Sequence, residues 1–125
     1  MIWRPSLTRR SKGEHYESTA KAYLLDCGLS FIERNFHAKT GEIDLIMQDH
    51  DTIVFVEVRY RAQQNYGHAA ETVTVQKQNK LIRTASVWLQ NHHLSIYTTD
   101  FRFDVVAIHA NGKQIDWIKN AIVQG

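Results

Sequence analysis

Apolar residues first recur at helical spacing: Tyr16, Ala20, Tyr23, Leu24 and Cys27 fall on one face of a 3.6-residue repeat. Ser11-Lys12-Gly13-Glu14 has the form of a capping box and Gly28 supplies a stop, so the pattern predicts a helix over about 13–27. The period then shortens. "SFIERNF", "EIDLIMQ" and "TIVFVEVRY" are strand segments, the last two joined across 48–51 as a hairpin. Thr74 can cap a second helix in which Gln78, Leu81, Ile82, Ala85, Trp88 and Leu89 share a face, running to about Asn91. "FRFDVVAIH" is a fourth strand, and Asn111-Gly112 is a turn signal before a short fifth, "QIDWIK". The predicted order is α-β-β-β-α-β-β, an α/β fold with a mixed central sheet flanked by helices.

The hairpin carries an anomaly. Glu42, Asp44 and Glu57 lie among residues that otherwise read as buried strand. With 48–51 as the loop, Met47 faces Thr52, Asp44 stands opposite Phe55 and Glu42 opposite Glu57. Side chains alternate along a strand, so Glu42, Asp44, Phe55, Glu57, Arg59 and Arg61 share one face; Ile43, Leu45, Val54, Val56, Val58 and Tyr60 share the other. Asp44 and Glu57 are then diagonal neighbours, roughly 7 to 8 Å apart by backbone spacing. Carboxylates kept from water need a compensating partner. Arg59 could provide it as a structural ion pair; so could a hard divalent cation, because Mg²⁺ prefers one or two carboxylates completed by water and phosphate oxygens.

Composition narrows the class. With 125 residues, 43% hydrophobic and 22% charged, the chain suits one domain, expected over 13–125 behind a basic, mobile arm over 1–12. The lone Cys27 cannot form an internal disulfide and reads as a small buried apolar residue. No run approaches the roughly 20 apolar residues of a membrane span, so a cytoplasmic protein is expected. A net charge of +2 is mild, but basic residues gather in "RPSLTRRSK", "RYR" and "KQNKLIR", a distribution able to track phosphates. His-x-x-x-His spacing, a Gly-x-Ser-x-Gly elbow and glycine-rich phosphate loops are all missing. Asp104, in "RFDVV", reads as structural, paired with Arg102 or Arg59.

Ile43-Asp44, twelve residues, then Glu57-Val58-Arg59 resembles the PD-(D/E)xK nuclease pattern. Across nearly the whole chain, Gly13 with Glu17 and Ala20, "GEIDLI", "VFVEVRYR", "KQNKL" with Ala85 and Trp88-Leu89, and "RFDVV" are similar to the YraN-type group of small bacterial proteins. That resemblance implies a restriction-endonuclease-like core with a fold like archaeal Holliday junction resolvases. It also implies Mg²⁺ or Mn²⁺ held by Asp44 and Glu57, and phosphodiester hydrolysis in branched or structured DNA. The family pattern adds an acid from the first helix. Glu17 is preferred to Glu14, because it lies seven residues before Leu24 and so only about 20° from the buried stripe. Arg59 stands where the pattern has lysine. With a pKa above about 12 it can neutralise charge but cannot take a proton from water. Three accounts follow: Arg59 serves as the catalytic cation; Lys77 or Lys80 reaches the site while Arg59 holds the acids; or the chain is a catalytically silent nucleic-acid-binding or protein-interaction module. Arg61, Lys77 and Lys80 are the expected DNA contacts. Two symmetric cuts would require a homodimer, for which the last strand offers an edge.

Overall fold

The computed structural model describes residues 9–61, 74–109 and 113–122, with side chains from residue 13 onward. The elements are α1 (Arg9–Asp26), β1 (Ser30–Ala38), β2 (Gly41–Asp49), β3 (Thr52–Arg61), α2 (Val75–Asn91), β4 (Phe101–His109) and β5 (Gln114–Ile118), in the order expected from the sequence. They form a mixed α/β fold whose five-stranded sheet runs β1-β2-β3-β4-β5. Pairing is antiparallel except between β3 and β4. A parallel pair cannot be closed by a tight turn, and α2 lies in the crossover that joins these two strands.

Each face of the sheet carries one helix. Ala20 and Leu24 of α1 pack on Leu45, Met47, Val54 and Val56. Leu81, Ala85, Trp88 and Leu89 of α2 pack on Ile43, Ile46, Phe55 and Phe103. Central strands buried on both sides lose the polar alternation of a one-sided sheet, which is why Ile53 to Val56 are apolar at every position. Thr74 caps α2 as expected, its hydroxyl accepting from the Lys77 N–H at 3.1 Å. Asp104 is buried and accepts from Arg102 Nε, Trp117 Nε1 and the Asn120 N–H. Its partner is therefore Arg102, and it ties β5 to the sheet.

The first helix differs from its sequence reading at both ends. It is already helical at Arg9, so Ser11 lies inside it and does not cap it. Cys27 is exposed, not buried. The helix closes with a Schellman pattern, Gly28 N–H to Leu25 O and Leu29 N–H to Leu24 O, with Gly28 at φ 100. That turn brings Leu29 into the core and leaves Cys27 on its outer side. Residues 1–8 of the expected arm and the Asn111-Gly112 turn lie outside the described residues.

Gly41 sets the distance between the β1–β2 turn and α2. It has φ +147, and a Cβ there would stand 3.3 Å from Thr84 Oγ1. Thr84 is fully buried, donates to Lys80 O and shares a 2.8 Å hydrogen bond with Thr40 Oγ1. Gly41→Ala is expected to destabilise the fold by about 1 to 3 kcal/mol. Gly13→Ala, at a helical site with nothing within 4 Å, should stabilise by up to about 1 kcal/mol. Urea unfolding of both variants checks the contrast.

Candidate active site

The β2–β3 register runs Asp49↔Thr52, Gln48↔Ile53, Met47↔Val54, Ile46↔Phe55 and Leu45↔Val56. The hairpin loop is therefore His50-Asp51 alone, with His50 at φ 55. Met47 faces Val54, two places from its predicted partner. A shift of two preserves the side-chain face, whereas a shift of one would reverse it. Glu57 thus stays on the Phe55 side, and Asp44, one step past the last pair, comes level with Glu57 rather than diagonal to it.

Two details of the sequence reading fail here. Glu42 does not face Glu57: it stands opposite His37 on β1, with His37 Nδ1 3.3 Å from its carboxylate. Ile43 does not share a face with Leu45, since it packs under α2 while Leu45 packs under α1. Alternation breaks at Asp44. On the neighbouring strand the register passes from Arg34↔Leu45 to Phe36↔Ile43, with Asn35 at φ 55 between them. Asn tolerates this left-handed geometry better than most residues, and Asn35 stands on β1 at the level of Asp44.

Asp44 stands with Glu42 at the ridge between two clefts, both of which it lines. One, of about 290 Å³, is also lined by Glu57, Thr74, Lys77 and Lys80. The other, of about 320 Å³, is also lined by Tyr16, Glu17, Val58 and Tyr60. The ladder ends before Val58, whose N–H donates to Asp44 Oδ2 at 2.9 Å. Burial pushes the Asp44 carboxyl up to about 7, and the charges of Glu57, Glu17 and Glu42 add to the rise against the opposing Val58 hydrogen bond. Glu57 is 8% exposed. Its Oε1 lies 2.6 Å from Lys77 Nζ and 4.0 Å from the Arg59 guanidinium.

The structure thus brings together Asp44, Glu57, Arg59 and Lys77, with Lys80 on the rim of the same cleft. Glu17 reaches the ridge from the opposite cleft and is held by Arg34 at 3.2 Å. Arg34 also donates to Ser18 Oγ and to Glu14 O, which fixes its guanidinium across one turn of α1. Arg61 lies two places beyond Arg59 on β3, level with His109. Tyr16 and Tyr60 were read only as apolar positions, yet their rings stack at 4.1 Å along the Glu17 cleft. Tyrosine rather than leucine at those positions was the sole signal. Among the described residues no three His, Cys, Asp or Glu side chains form a ready metal cage. Asp44 and Glu57 are hard oxygen donors, the set that Mg²⁺ or Mn²⁺ takes when water and phosphate complete its shell.

The sequence matches the model of a family described as "Uncharacterised protein family UPF0102" over residues 16–108. A UPF0102 protein of Aliivibrio salmonicida is 63% identical over 117 residues, covering 94% of this chain and 95% of its own. One from Vibrio vulnificus is 58% identical, with 94% and 97% covered, and one from Vibrio cholerae is 50% identical, with 93% and 95% covered.

Proposed function

The chain belongs to the UPF0102 family, the YraN-type group, and from its site we propose a DNA endonuclease on a restriction-endonuclease-like core, dependent on Mg²⁺ or Mn²⁺ and acting on branched or structured DNA. The observation that carries this reading is Lys77 Nζ at 2.6 Å from Glu57 beside the ridge-top Asp44. A lysine from α2 stands where the strand offers Arg59 in place of the motif lysine. Asp44 and Glu57 would hold the ion, which supplies Lewis-acid polarisation of the phosphate when bound. Lys77 is 46% exposed along its side chain and can turn from Glu57 to a phosphate oxygen as negative charge develops there. Arg59, only 14% exposed, steadies Glu57 from behind. Lys80 and Arg61 extend the cationic track for DNA phosphates, which implies salt-sensitive and weakly sequence-specific binding.

One observation favours the silent module instead. Glu17 and Glu57 already have protein cations as partners, so a purely structural network would account for the same geometry. Calorimetric titration with Mn²⁺ separates the two readings. Saturable binding that Asp44→Asn abolishes is expected. Heat unchanged by that substitution would remove Asp44 from the metal site and favour the module.

A further inference from the structure

Tyr16 and Tyr60 come from different elements, α1 and β3, and meet at 4.1 Å with an interplanar angle of 13°. The His15 ring lies edge-to-face with Tyr16, their centroids 5.0 Å apart. Both tyrosines are half-buried, and both line the cleft that ends at Glu17 and Asp44. The ridge therefore separates two unlike surfaces. On the α2 side Lys77 and Lys80 attract phosphates. On the α1 side Glu17, ion-paired with Arg34, can accept hydrogen bonds from exocyclic amino groups beside a parallel aromatic pair, while Glu42 lines both clefts. Backbone belongs on the first side and bases on the second.

We propose that the Tyr16–Tyr60 pair is a stacking platform for an unpaired nucleobase adjoining the phosphate engaged at Asp44 and Glu57. This rests on the nucleic-acid reading of the site and specifies its substrate as a single-stranded or splayed DNA end. A base inside continuous duplex cannot enter the cleft without unpairing, at a cost in stacking and pairing energy. An unpaired base incurs little of that cost and gains the stack, which every base can use because each has a π-face.

The test measures binding of a fluorescent single strand, a splayed fork and a blunt duplex of one sequence, without divalent ion. In parallel, 5-iododeoxyuridine at the unpaired position is photocrosslinked to the wild-type protein. Tyr16→Leu and Tyr60→Leu are each expected to weaken single-strand and fork binding about 5- to 150-fold and leave duplex binding unchanged. The Phe variants should bind like wild type, and the crosslink should map to Tyr16 or Tyr60. Equal losses on all three DNAs would show that the pair only packs α1 against β3 and would overturn the platform. So would unchanged affinity in both Leu variants, a crosslink elsewhere, or no DNA binding at all. Crosslinking and strand preference without cleavage in Mn²⁺ would uphold the platform and refute hydrolysis. Cleavage with no strand preference would do the reverse.

Discussion

Lys77→Ala is expected to slow single-turnover cleavage of a branched DNA in Mn²⁺ by about 10²- to 10³-fold, the usual loss when one donor to transition-state charge is removed. Arg59→Ala should cost less, because the guanidinium is 4.0 Å from Glu57 and mostly covered, whereas Lys77 Nζ is at 2.6 Å on a half-exposed arm. Arg59→Lys should retain the activity of wild type or raise it, since a lysine there restores the cation of the nuclease pattern. Saturating enzyme distinguishes rate from affinity. If Lys77 merely contacts phosphate, its loss would lower the slope of log affinity against log salt by about 0.9 on duplex DNA and leave the saturated rate intact. A rate unchanged in Lys77→Ala and lowered most in Arg59→Ala would return the catalytic role to the strand arginine.

Asp44→Asn is expected to stabilise the metal-free protein above neutral pH, even as it removes a proposed metal ligand. The carboxyl is raised in the folded state to about 7 from an ordinary value of 3.8. Between those values the folded chain holds a proton that the unfolded chain has released, so the wild type loses stability as pH rises from about 4 to 7 and then levels. A shift of this size corresponds to something on the order of 4 kcal/mol. An asparagine oxygen can still accept from the Val58 N–H, which keeps the backbone in place while removing the charge. Thermal melts in EDTA across this range should show the wild-type decline flattened in Asp44→Asn. Mn²⁺ should restore stability to the wild type at pH 8 and leave the variant unmoved. A decline of equal size in both would mean that the burial of Asp44 is not its source.

Local pattern determined the elements and pointed to Asp44 and Glu57 as neighbours on adjoining strands. Period 3.6 over Leu81 to Leu89 and unbroken apolar character over Ile53 to Val56 each follow from burial on one helical stripe or on two sheet faces, and burial is written into residue type. The face shared by Phe55, Glu57 and Arg59 was also legible, because strand parity survives an even error in register. Three matters needed the folded chain. Hairpin loop length was two residues rather than four, a choice settled by how many ladder bonds and core contacts the two strands gain together. The alternation assumed for Ile43 and Leu45 broke at Asp44, whose carboxylate lies on a ridge between clefts. Spacing alone also left Arg59, Lys77 and Lys80 as rival cations. The reach of Lys77 and Lys80 to Glu57 depends on where α2 docks, and it docks close to Gly41, where a Cβ would stand 3.3 Å from Thr84 Oγ1. Charge type and strand parity are properties of neighbouring residues in the chain, whereas the reach of a lysine across to another element is a property of packing.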